Sequence, residues 1–131
     1  MNIGLYPTAQ QIQELLRGPS DVPVVMLNLV RFREQAAAAG SAAGVEAYRQ
    51  YALRMRQIVE ERGGRFLWTG RVDSFLIGES DVPFDAVALV EYPSRGVFLE
   101  IVNDPRVQEI AAIRAAGLEG QWLIATTASP I

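Results

Sequence analysis

Between Val24 and Phe32 the chain reads VVMLNLVRF, nine residues in which only Asn28 and Arg31 interrupt a run of apolar side chains. Aliphatic and β-branched residues in a run of this length predict a strand. At period two, Val24, Met26, Asn28, Val30 and Phe32 share one face, while Val25, Leu27, Leu29 and Arg31 share the other. Both faces are therefore apolar, and each carries one polar misfit.

A helical period takes over at Val45, where Val45, Tyr48, Ala52, Met55, Val59 and Arg62 fall on one stripe up to Gly63 and Gly64, which supply a left-handed helix end. Arg65–Ile77 reads as a second strand with a bulge or bend at Gly70, Gly78–Phe84 as a connection, and Asp85–Tyr92 as a third strand. Ser94 can cap a helix whose apolar side is Phe98, Ile101 and Val102. Asn103, Asp104 and Pro105 interrupt it, and a second piece, Arg106–Leu118, puts Val107, Ile110, Ala111, Arg114 and Leu118 on one stripe. Gln121–Thr127 is the last strand. At the other end, Thr8 and Gln11 form a capping box ahead of Ile12, Leu15 and Leu16, and Gly18 and Pro19 close that short helix. The small residues of Glu34–Gly44 predict a flexible connection.

This order predicts a single α+β domain over residues 1–131: a helical extension over 1–20, then a ferredoxin-like β-α-β-β-α-β core over 22–128 with a four-stranded antiparallel sheet. Helices cover only one face of such a sheet. The second apolar face then predicts a homodimer in which another copy of the chain covers it.

Composition narrows the chemistry. A net charge of -3 offers no basic excess to follow a phosphate backbone, so no nucleic-acid partner is expected. No apolar run nears the roughly 20 residues that span a bilayer, and the first residues lack a secretory pattern, so neither a membrane nor export is expected and the location expected is cytoplasmic. The chain has no Cys and no His, and its 12 basic residues are all Arg. Thiol nucleophiles, imidazole bases, Schiff-base lysines and His- or Cys-ligated metals are thereby excluded. No cofactor or metal is expected, and any proton transfer must use a carboxylate or a phenol, with Arg or Asn stabilising charge.

The strings VVMLNLVRFRE, EAYRQY, GGRFLWTG, DAVALVEYPS and IRAAGLEGQWLIAT, in this order, resemble the domain-of-unknown-function family numbered 1330, within the dimeric α/β barrel superfamily. The resemblance runs from about Pro23 to Thr127. It implies a ferredoxin-like protomer and a barrel built from two of them, and it assigns no reaction. The wider superfamily includes haem enzymes, cofactor-free monooxygenases, isomerases and small-molecule-binding proteins. The lack of His argues against those haem enzymes with a proximal His and leaves the cofactor-free branch less restricted.

Five residues stand out as candidate ligand contacts: Asn28 and Arg31 in the first strand, Tyr48 on the apolar stripe of the long helix, Trp68 before Gly70, and Arg114 on the apolar side of the last helix. Buried polar groups cost about 1–3 kcal/mol each when unpaired, so each needs a protein partner or a ligand. In one expectation they orient a small organic ligand with a carbonyl or carboxylate in an apolar pocket, with cofactor-free isomerase- or oxygenase-like chemistry open to it. In the other they fix strand register and dimer geometry in a non-catalytic module. Whether the protein is an enzyme is not decided by the sequence.

Overall fold

The computed structural model describes residues 2–34 and 43–131. Of the predicted connection Glu34–Gly44, residues 35–42 lie outside the described residues. The elements are α1 (Ala9–Leu16), β1 (Val24–Phe32), α2 (Gly44–Glu61), β2 (Arg65–Arg71), β3 (Ala86–Tyr92), α3 (Arg95–Val102), α4 (Pro105–Gly117) and β4 (Leu118–Thr126). The strands make one antiparallel sheet in the order β2-β3-β1-β4, the ferredoxin-like arrangement with α1 added.

Local chemistry sets the ends. The capping box of α1 forms as expected, with Gln11 N donating to Thr8 Oγ1 at 3.1 Å and Thr8 N to Gln11 Oε1 at 2.9 Å. Gly63, at φ 84°, turns the chain out of α2. Ser94 caps α3 by accepting from Val97 N, and Asp104 caps α4 by accepting from Arg106 N, with Pro105 at the first helical turn. The core lies between the sheet and the helices: Val24, Met26, Val90 and Tyr92 meet Met55, Ile58 and Val59 of α2, Ile101 of α3, and Val107 and Ile110 of α4.

The face of the sheet away from the helices is also apolar. Leu27 pairs with Leu89 on one side and Ile124 on the other, and Leu89 pairs with Trp68, so a row of large apolar residues crosses all four strands. Trp68 is 56% exposed and Ile124 42%.

The end of β2, its bulge and the start of β4 differ from expectation. β2 ends at Arg71, not Ile77, because β3 begins only at Ala86: after the bond from Val72 N to Asp85 O, the following residues have no strand to pair with. Leu76 and Ile77 are accordingly 94% and 92% exposed. The bulge in β2 falls at Leu67, between Phe66 and Trp68, while Gly70 stays in register with Val87. Gly70 serves instead as a floor for the Trp68 indole, which occupies the space a Cβ there would need. The last strand starts at Leu118 rather than Gln121, since Leu118 takes extended angles of φ -106° and ψ 135° immediately after α4.

The N-terminal segment covers the outer edge of β4. Gly4 and Gln121 exchange backbone hydrogen bonds of 3.2 and 2.9 Å, and Trp122 Nε1 donates to Asn2 O at 2.7 Å. At Gln121 the otherwise open strand edge is thus paired within the chain.

Candidate functional site

On the helix side of the sheet, a cavity of about 830 Å³ opens between β1, β2, β3 and the first half of α2. Its floor follows from strand alternation: Asn28, Val30 and Phe32 of β1 lie beside Ala86, Ala88, Val90 and Tyr92 of β3. Ala88 is the direct cross-strand partner of Asn28, and two alanines where a core strand would ordinarily carry large aliphatics leave the volume open. The roof is one stripe of α2, with Tyr48, Tyr51, Ala52 and Met55 lining the space. Gly117 brings α4 so close to the start of α2 that a Cβ there would lie 2.6 Å from Gly44 O and 2.9 Å from Tyr48 N, which fixes the height of that stripe.

The aromatic lining is continuous. Phe32 and Tyr48 have ring centroids 5.4 Å apart, and Tyr48 and Tyr51 5.5 Å. Among the described residues, none hydrogen-bonds the hydroxyls of Tyr48, Tyr51 or Tyr92, and none of these oxygens is a sealed, unpartnered buried atom. Burial pushes all three phenols above the usual range. The neighbouring phenol Tyr51 reinforces this at Tyr48, and Arg114 opposes it at Tyr48 and Tyr51. They are neutral near pH 7 and can donate a hydrogen bond.

Charged residues sit at the rim. Arg33 is held by its Nε to Leu118 O at 3.0 Å, leaving its terminal nitrogens without a partner among the described residues. Asp85 accepts from Phe32 N at 2.8 Å through Oδ2. Among the described residues, no group of three or more acidic side chains is arranged to hold a metal ion, and no helix is long and apolar enough to cross a membrane.

Of the five residues expected as ligand contacts, Asn28 and Tyr48 line the cavity together and the other three do not. Arg31 points to the opposite face, where Nε meets Glu119 Oε2 at 2.7 Å and a terminal nitrogen donates to Pro83 O at 3.1 Å. The irregularity in β1 lies at Arg31/Phe32 and does not turn Arg31 toward Asn28. Trp68 lies over Gly70 on the open face. Arg114 reaches the N-terminal segment, donating to Leu5 O and to Gln121 Oε1 (2.9 Å) and stacking over Tyr6 at 5.4 Å. Arg33, Tyr51, Thr69, Asp85 and Tyr92 were not among the expected contacts and do line the cavity. For Tyr92 the signal was available, since it follows Ala86, Ala88 and Val90 at period two.

The family model described as a domain of unknown function, DUF1330, matches residues 33–128. The crystal structure of RPA0582, a protein of unknown function from Rhodopseudomonas palustris, is 33% identical, with 98% of this chain and 100% of that chain covered and a TM-score of 0.88. A hydroxynitrile lyase from Passiflora edulis is 12% identical over 85% of this chain and 97% of its own, with a TM-score of 0.62. A dabb family protein with a ferredoxin-like fold from Mesorhizobium loti is 11% identical over 82% and 98%, with a TM-score of 0.55. These last two likenesses are of fold alone. None of the curated proteins matches the chain.

Proposed function

Taking as premise that the chain belongs to the DUF1330 family, we propose that each protomer binds a small, largely apolar organic ligand through a carbonyl group in the cavity between the sheet and α2. The observation that carries this is the set of three neutral phenols, Tyr48, Tyr51 and Tyr92, which line a cavity with largely apolar walls and whose hydroxyls have no protein partner among the described residues. A cavity of about 830 Å³ is in the size range of small-molecule sites, and a few converging polar groups on apolar walls are their usual makeup. The interior holds donors for a carbonyl oxygen, while the cations that line the cavity, Arg33, Arg49 and Arg71, are exposed, so a ligand carboxylate would meet one only at the rim.

Such donors would also stabilise negative charge growing on that oxygen, as an oxyanion hole does, without a cofactor. Enolisation of a bound ketone is the chemistry they would serve, with Asp85 as the rim carboxylate to take a proton from carbon. This is the isomerase- or oxygenase-like use of the site. A second inference concerns assembly: the apolar row Trp68, Leu89, Leu27, Ile124 favours two copies pairing through the open sheet face.

Titration of the protein with carbonyl-labelled acetophenone, followed by carbon NMR, tests the binding. A downfield shift of the bound carbonyl that shrinks in Tyr48→Phe or Tyr51→Phe is expected. Absence of binding at millimolar ligand, or a shift indifferent to both substitutions, would sink it.

A further inference from the structure

Asn28 decides which group the sheet wall of the cavity accepts. Its amide nitrogen donates to Met26 O and Ala88 O, both at 3.3 Å. Turning the amide over would set Oδ1 against those two carbonyl oxygens, so the neighbours dictate its orientation. Oδ1 then faces away from the backbone. It accepts nothing from the described residues, and it is not sealed in: the only fully buried side-chain nitrogen or oxygen without a partner among the described residues is Arg95 Nε. On a cavity-lining residue, an open Oδ1 is an acceptor presented to the ligand.

An acceptor in an apolar wall discriminates by what it lacks. A ligand bringing O–H or N–H satisfies it, whereas a ligand bringing only an ether or carbonyl oxygen sets two acceptors against each other and displaces any water that bonded Oδ1 without replacing its hydrogen bond. From Phe32 in this same wall an aromatic run continues to Tyr48 and Tyr51 of the α2 roof, with ring spacings of 5.4 and 5.5 Å, and offers a flat ring large contact area at little entropic cost.

We propose that the cavity selects an aromatic compound with a free hydroxyl, a phenol, whose ring lies along Phe32, Tyr48 and Tyr51 and whose O–H is donated to Asn28 Oδ1. This rests on the cavity being a ligand site and adds the hydrogen-bond donor that the carbonyl-binding phenols do not specify. A hydroxyaryl ketone meets both requirements.

Three probes of one ring system separate the contributions: naphthalene, 1-naphthol and 1-methoxynaphthalene, titrated into the full chain with their fluorescence as the signal. One neutral hydrogen bond is worth roughly three- to tenfold in affinity, so 1-naphthol is expected to bind tighter than both others by that factor, although its hydroxyl makes it the most soluble in water. Asn28→Leu, checked for an intact fold by circular dichroism, is expected to bring 1-naphthol down to the level of its methyl ether, so that the preference between the two is lost. Equal affinities of the wild type for 1-naphthol and its ether, a preference that survives Asn28→Leu, or no binding of any of the three would each overturn the assignment. Binding of acetophenone alongside any of those results would leave the carbonyl site standing and remove only the phenol.

Discussion

Arg31 Nε and Glu119 Oε2 stand 2.7 Å apart on the face of the sheet that Asn28 does not share. With a second bond to Pro83 O, this pair ties β1 to β4 and to the connection before β3, and it takes the guanidinium out of the cavity. Arg31→Ala is therefore expected to leave the affinity for acetophenone within about twofold of the wild type, as for sites that share no partner. Because both side chains are partly solvated, the melting temperature should fall only slightly. A large loss of affinity in Arg31→Ala, measured by the same NMR titration, would return that residue to the site.

The opposite pattern is expected at the phenols. Since the hydroxyls of Tyr48 and Tyr51 bond nothing among the described residues, Tyr48→Phe and Tyr51→Phe should change unfolding free energy by no more than about 0.5 kcal/mol. Each should nevertheless weaken carbonyl binding by roughly three- to tenfold, the worth of one hydrogen bond. Urea denaturation and ligand titration on the same samples separate the two effects. A variant that loses stability in step with affinity would mean that its hydroxyl holds the fold.

Tyr48, Tyr51 and Tyr92 also give stability a direction in pH. Their folded pKa values lie above the ordinary 10.0, chiefly through burial, so the folded state keeps protons that the unfolded chain releases. Below that ordinary value both states hold the phenolic protons and these groups leave stability flat. As pH rises past it, the unfolded chain ionises first and stability is lost, progressively up to the folded pKa values. Urea midpoints measured from pH 8 to 11 should stay level and then drop near the top of that range, and the triple variant with Phe at positions 48, 51 and 92 should drop less. Equal slopes would show that these three phenols do not titrate as buried groups.

Asn28 was legible because its misfit is local: period two alone puts it among Val24, Met26, Val30 and Phe32, and the core confirms that face. Trp68 was not, because parity along β2 changes at the bulge. Phe66 and Trp68, two apart, would share a face in a regular strand; the extra residue Leu67 instead sets Phe66 opposite Val90 on the helix side and Trp68 opposite Leu89 on the open side. The same slip turns Thr69 into the cavity. Arg114 was correctly placed on its helix, but its partner Leu5 is 109 residues away, which no local period encodes. The early end of β2 is a property of where β3 begins, so it too lies beyond the strand's own pattern.

Gly117 is the position where packing of α4 governs the site. A methyl group there would meet Gly44 O at 2.6 Å and Tyr48 N at 2.9 Å, backbone atoms that cannot rotate away. Gly117→Ala is expected to destabilise by about 1–3 kcal/mol, the usual cost of overpacking, even though alanine is the better helix former. By lifting the start of α2 it should also weaken acetophenone binding, through Tyr48. A neutral effect on the urea midpoint would mean that the two helices separate freely, and the roof of the cavity would then not be fixed by this contact.

Association through the open sheet face makes the sharpest prediction about assembly. The row Trp68, Leu89, Leu27 and Ile124 spans all four strands, and the apolar face it lies on is not covered by the chain's own helices. Stable interfaces bury about 800 Å² per partner, an area within reach of a sheet face of this width. Sedimentation velocity at micromolar concentration should give a dimer. Leu89 lies mid-row, between Trp68 and Leu27, so Leu89→Arg places two charges near the axis of a symmetric interface and should yield a folded monomer with unchanged far-ultraviolet dichroism. A wild-type monomer, or a dimer that survives Leu89→Arg, would exclude this face as the contact.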